Sequence, residues 1–240
     1  MTAQPRTGAP AATDPTGRTL TAPLTQATQA ALTPEIVLQL LKDGNERFLA
    51  GRAVERNYLE QIRQTSSGQY PMATILGCID SRVPHEIIFD KGVGDVFSAR
   101  IAGNFVNTDI LGSMEFATAV AGSKLIVVLG HTECGAVKGA CDHVQLGNLT
   151  STLANIAPAV YAVDDVEGPR RSSNKAFVEA VSRANVSMNV NNVVNRSPII
   201  RDLVAEGKLM VVGAMHDVAT GRVTFMESAV ISSANVNTRR

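Results

Sequence analysis

Met72-Ala73-Thr74-Ile75-Leu76-Gly77-Cys78-Ile79-Asp80-Ser81-Arg82 is the stretch on which the fold turns. Its apolar opening, Met72 to Leu76, reads as a buried strand. The strand then runs into a thiol, a carboxylate, a hydroxyl and a guanidinium. Ligands of open α/β sheets bind beyond the carboxyl ends of strands. A second apolar run, Lys124-Leu125-Ile126-Val127-Val128-Leu129-Gly130, ends in the same manner, in His131-Thr132-Glu133-Cys134. Together the two strand ends offer two Cys and one His, and the expectation is that they meet at one metal ion.

Outward from these strands, helical and extended patterns alternate. Pro84 to Asp90 reads as a short helix, Asp95 to Ile101 as a strand, and Thr108 to Ala121 as a helix with Gly122 past its end. A short helix starts near Gly135, and another covers Ser151 to Val163 with a kink at Pro158. Asn174 to Asn195 is a long helix, and Ser197 with Pro198 opens the next, which runs to about Glu206. Lys208 to Met215 and Arg222 to Met226 are strands joined by a turn through Asp217 and Gly221. This alternation predicts an α/β fold: a mostly parallel central sheet flanked by helices, with an antiparallel edge strand at the closing hairpin.

At the other end, residues 1–32 are rich in Thr, Ala, Pro, Gly and Gln and read as a flexible arm. Order is expected from Thr33, a helix N-cap followed by Pro34 and Glu35, so the folded domain spans 33–240. A second helix is expected over Ala53 to Thr65. The two form an N-terminal helical arm, expected to lie on a partner subunit.

Composition narrows the class. The chain has 240 residues, 45% hydrophobic, no Trp, and equal numbers of acidic and basic side chains. Without a basic run, nucleic acid is not the expected partner. No run of about 18 apolar residues marks a membrane span. The first 32 residues lack the apolar core of a signal peptide. Compartment stays open between cytoplasm and, if a signal has been removed, periplasm. Three Cys are too few for a disulfide framework, and their spacing favours ligation.

Zinc accepts thiolate and imidazole in a tetrahedron, and a set of two Cys and one His leaves one position open. His131 and Cys134 stand three apart on a turn, with Cys78 supplied by the neighbouring strand. Taken singly, a Cys at a strand end is more often a core residue, His131 a structural imidazole, and a Cys78–Cys134 disulfide is an alternative. Cys141 reads as a buried thiol outside the cluster, and His85 and His143 as surface groups. Asp80 and Arg82 form the second informative pair, because a carboxylate beside a guanidinium stays ionised. Asp80 has two options: it occupies the fourth metal position, closing the site, or it accepts a hydrogen bond from water there. A structural ion pair is the remaining alternative. Two thiolates cancel the zinc charge and acidify water less than neutral ligands do, so an acceptor such as Asp80 gains importance.

Three segments resemble the β-class carbonic anhydrases: Cys78 to Pro84, Asp95 to Asn104, and Gly130 to Gly135, with Gly213 to Gly221 similar to that family's closing hairpin. The likeness spans about Thr33 to Met226. It implies a zinc ion on Cys78, His131 and Cys134, an Asp80–Arg82 catalytic dyad, and reversible hydration of carbon dioxide to bicarbonate and a proton. It also implies homodimers, often paired into homotetramers. Relatives on this fold hydrolyse carbon disulfide or carbonyl sulfide, which is the competing enzymatic reading; a non-catalytic zinc protein is the other. Some members carry an inhibitory bicarbonate site of Trp, Arg and Tyr. Here those positions hold Ile75, Arg100 and His216, so that site is expected to be absent or altered, and the centre to sit open more readily.

Overall fold

The structure is a computed structural model that describes residues 13–15 and 17–236. Its centre is a five-stranded sheet built from β1 (Ala73–Gly77), β2 (Val96–Arg100), β3 (Leu125–His131), β4 (Met210–His216) and β5 (Val223–Ile231), in the order β2-β1-β3-β4-β5. The first four strands run parallel, and β5 pairs antiparallel with β4. β1 and β3 are buried along their whole length, as continuous apolar runs in a parallel sheet require. Gly77 lies opposite Leu129, so the carboxyl ends of β1 and β3 stop side by side.

Helices cover both faces. On one, α9 (Lys175–Arg196) and α10 (Pro198–Ala205) place Val186, Val190, Val193, Ile200 and Val204 against Leu76, Ile126, Val128 and Val211. On the other, α2 (Pro34–Leu49) packs Val37, Leu40 and Leu41 against Ile75, Leu125 and Val127. Each such side chain contributes about 1.5–3 kcal/mol on burial. Thr33 caps α2 through the Ile36 N–H, as its sequence predicts.

Several expectations change. The α2 part of the helical arm packs on its own sheet, because its apolar stripe matches the face that β1 and β3 leave open. Within the 1–32 segment, residues 1–12 and 16 lie outside the described residues, and the remainder is fastened to the body. Leu20, Leu24 and Leu32 are buried, Gln29 of α1 (Gln26–Ala30) donates to the carbonyls of Pro71 and Ala121, and buried Arg18 pairs with Asp14 and Asp95. Average composition hides three spaced leucines and one well-placed cation. The helix expected over Ala53 to Thr65 is shorter, α3 (Tyr58–Gln64), started by Asn57. Thr108 to Ala121 begins as α5 (Thr108–Glu115) and widens into a π turn, Phe116–Val120. The Pro158 segment is broken rather than kinked: α7 (Gly147–Ala154) ends and α8 (Ala157–Ala162) restarts with Pro158 in its first turn, where its missing N–H costs nothing. No helix among the described residues is long and apolar enough to cross a membrane.

Candidate metal centre and active site

Three buried donors converge just past the sheet. Cys78 follows β1, His131 ends β3, and Cys134 is the residue before α6 (Gly135–Cys141). Their ligand atoms lie within 4.8 Å of one another, and the two sulfurs are 4.0 Å apart. Two thiolates on one tetrahedral zinc, at about 2.3 Å each, stand about 3.8 Å apart. Glu133 makes the return possible by adopting a left-handed conformation, φ +57°, at a cost of about 1–2 kcal/mol for an L residue.

The imidazole is prepared for a cation. His131 Nδ1 donates to the Thr132 carbonyl at 2.9 Å, which leaves Nε2 with its lone pair. That Nε2 is buried and has no hydrogen-bond partner among the described residues. An orphaned buried acceptor facing two thiols fits a thiophilic cation. The two sulfurs share a hydrogen bond, which lowers the Cys78 thiol despite burial, and the same bond together with burial pushes Cys134 up. The Gly103 N–H adds a donor to Cys78 Sγ at 3.3 Å.

Asp80 stands beside this cluster and does not join it. Its Oδ1 accepts from Arg82 Nε at 2.9 Å and from the Arg82 backbone N–H at 3.0 Å, and its Oδ2 accepts from Arg82 Nη2 at 2.7 Å. Arg82 thereby holds the Asp80 carboxyl well below the usual carboxylate range. Asp80 Oδ2 is 3.9 Å from His131 Nε2, so the carboxylate faces the centre without reaching it. Beside it opens a cavity of about 230 Å³ lined by Ile79, Ala102, Ala136, Leu149 and Leu153 among others. The arrangement can place an ionised acceptor and a Lewis acid at the mouth of an apolar chamber.

Residues 73–223 match the family model described as carbonic anhydrase. The chain belongs to the β-class carbonic anhydrases. Carbonic anhydrase 2 of Mycobacterium tuberculosis (strain H37Rv) is 36% identical over 200 residues, covering 81% of this chain and 93% of that relative. The carbonic anhydrase of Mycolicibacterium smegmatis is 34% identical over 196 residues, covering 79% and 92%. Among solved structures, one of two tetrameric β-carbonic anhydrases from Sordaria macrospora superposes with a TM-score of 0.61 at 27% identity, covering 80% of this chain and 97% of that one.

Against this family background, three features depart from or add to the sequence reading. Arg100, matched by sequence only to the inhibitory site, donates from Nε to the Cys78 carbonyl at 2.9 Å and from Nη2 to the Asp80 carbonyl at 2.5 Å. It holds the turn that carries both side chains. Ile75 is wholly in the core, and His216, opposite His131 in the sheet, is buried with neither ring nitrogen hydrogen-bonded among the described residues. His85, expected on the surface, is buried against Gly77: a Cβ there would sit 2.1 Å from His85 Nε2. Its Nδ1 meets Ser98 Oγ at 3.1 Å, and burial lowers its pKa to about 4. No local pattern announces this, since the flanking Pro84 and Glu86 are ordinary turn residues. Cys141 is buried outside the cluster and His143 is exposed, as their sequence context indicates. Gly130 serves packing, because a Cβ would lie 2.6 Å from Val186 Cγ2, while Gly135 has open space around its Cα.

Proposed function

We propose that this chain is a zinc enzyme catalysing reversible hydration of carbon dioxide to bicarbonate and a proton, with Cys78, His131 and Cys134 as the metal ligands and Asp80 with Arg82 as the dyad beside them. The observation that carries the reading is the carboxylate of Asp80, forked by Arg82 and set 3.9 Å from the unpartnered His131 Nε2 at the mouth of an apolar cavity. A purely structural zinc site has no use for that pair.

When bound, the ion supplies Lewis-acid activation of water near neutral pH. The chain's own groups do the rest. Ile79, Ala102, Leu149 and Leu153 offer a chamber in which a small nonpolar molecule is preferred to bulk water. Asp80 accepts a hydrogen bond from the attacking water and so orients it. Arg82 spends both fork donors on Asp80, which keeps the carboxylate ionised and off the metal position; this supports an open state, with a closed state reached if Asp80 leaves Arg82 and becomes a fourth ligand. Arg100 keeps the Cys78 and Asp80 carbonyls at fixed separation. In this reading 33–240 is the catalytic unit, and the described part of the preceding segment is fastened to it.

The same proposal includes a homodimer or a dimer of dimers. β2 is a sheet edge, and next to it Phe97, Ile110 and Phe116 line an open apolar groove with exposed Val120 nearby. Such a surface on one chain favours burial against another. Stopped-flow hydration of carbon dioxide, run with metal content on the same sample, tests the activity. A zinc-loaded protein with no rate above buffer would refute it.

A further inference from the structure

The long helix α9 carries a buried polar feature that the reading above leaves without a task. Its inward face is valine-rich: Val181, Val186, Val190, Val193 and Val194. Set into that face are Asn185 and Asn189, at 0% and 2% exposure. Two amides in an apolar face are costly unless their groups are paired. They are paired, and in one direction only. The Val106 backbone N–H can only donate, so Asn189 presents Oδ1 to it, at 2.9 Å. The Asn189 Nδ2 is then turned toward Asn185, where it donates to the backbone carbonyl at 2.8 Å and to Oδ1 at 3.0 Å. That fixes Asn185 with its Nδ2 facing the Gly103 carbonyl, at 2.9 Å. The Gly103 N–H, at the other end of the same residue, points at Cys78 Sγ, 3.3 Å away.

Gly103 itself has little freedom. Its φ is +85°, and a Cβ would stand 2.3 Å from Ile156 Cδ1. Sterics seat it from one side and Asn185 pulls its carbonyl from the other. We propose that Asn185 and Asn189 are positioning residues for the metal centre: they pin Gly103 so that its N–H stays aimed at the Cys78 sulfur. The inference rests on Cys78 being a metal ligand. Partners that hydrogen-bond to ligating atoms orient them and tune how strongly they donate to the metal. An N–H on a thiolate draws charge from the sulfur and makes it harder to oxidise.

The test uses Asn185→Leu, which keeps the side chain's approximate shape and removes both polar groups. Ser182→Ala is the control, since Ser182 is similarly buried on α9 but, among the described residues, bonds back to the Val178 carbonyl alone. Zinc affinity is measured by competition with a chromophoric chelator, and the sulfur-to-metal charge-transfer band is recorded on cobalt-substituted protein. Asn185→Leu is expected to bind zinc about tenfold more weakly, at the lower end for groups behind the ligands, and to move the band to longer wavelength. Ser182→Ala is expected to leave both unchanged. Asn189→Leu, one step further back, is the second variant should Asn185→Leu not fold; it shifts both readouts the same way by less. A purely structural role would lower thermal stability in the variants without moving the band. Wild-type affinity and wild-type band in the folded Asn variants overturn the proposal. Wild-type protein that takes up no zinc overturns the metal reading itself, and the positioning role with it.

Discussion

Asp80→Asn separates the proposed chemistry from the fold most cleanly. The substitution keeps the shape and turns one carboxylate oxygen into an NH2. Both oxygens of Asp80 are in use: Oδ1 accepts two bonds from Arg82, at 2.9 and 3.0 Å, and Oδ2 a third at 2.7 Å. An amide therefore meets Arg82 donor against donor whichever way it turns, and the fork breaks. The group facing His131 Nε2 from 3.9 Å also loses its charge. A positioned proton acceptor contributes about 10²–10⁴ in rate, or about 2.7–5.4 kcal/mol of barrier. The expected result is a fall of that size in kcat for hydration, with zinc content unchanged and the unfolding midpoint nearly unmoved, because exposed ion pairs add little to stability. Stopped-flow kinetics, metal analysis and thermal unfolding on one preparation read all three. A zinc-loaded Asp80→Asn enzyme as fast as wild type would refute the role assigned to Asp80. Loss of zinc together with rate would instead make Asp80 a ligand. Arg82→Lys should not behave as wild type, since an ammonium cannot reproduce the planar fork.

Other consequences are measurable. Cys78→Ser should lower bound zinc, while Cys141→Ser, outside the cluster, should keep full zinc and full rate; metal analysis of both checks the assignment. His85 is lowered from 6.5 to about 4 by burial, so it stays neutral in the folded chain while the unfolded chain takes up protons below 6.5. Its contribution is complete above pH 6.5 and is lost as pH falls toward 4, in total about 3 kcal/mol at 1.36 kcal/mol per pKa unit. Denaturant titrations at pH 7 and pH 5 should therefore differ less in His85→Gln than in wild type. Asp80 has the same sign at lower pH: Arg82 lowers it, so its share of stability, small for a partly exposed ion pair, holds through the neutral range and is lost only as pH falls through its depressed value. Arg18→Met removes the cation paired with buried Asp14 and Asp95 and should cost about 3 kcal/mol. Chemical denaturation measures that loss, and zinc content should not change, because Asp95 sits before β2, at the end of the strand away from Arg100.

What the sequence made legible is what is local. The apolar runs of β1 and β3 and the polar residues at their ends are contiguous in the chain, so period and spacing locate them, and the ligand atoms do converge. The helix caps at Thr33 and Ser197 are three-residue signals and stand where their residues put them. Illegible were the contacts that cross the fold. His85 looks like a turn residue until Gly77 is seen to leave room for its ring. Arg18 looks like part of a disordered arm until Asp95 is placed beside it.

The same division runs through the candidate site. Cys78, Asp80 and Arg82 lie within five positions of one another, and a motif finds them. The groups that aim them come from elsewhere: Arg100, 22 residues on, holds the Cys78 carbonyl, and Asn185, 82 residues beyond Gly103, holds the carbonyl of the residue that donates to the Cys78 sulfur. An asparagine on a helix of valines reads in sequence only as a break in the apolar pattern. Buried amides in that position survive only where fixed backbone groups satisfy them, and here Val106 and Gly103 do so at the two ends of the chain of bonds. The ligand set proposed here is therefore local in the chain, while the N–H aimed at the Cys78 sulfur is held by a helix that brings no donor atom to the cluster.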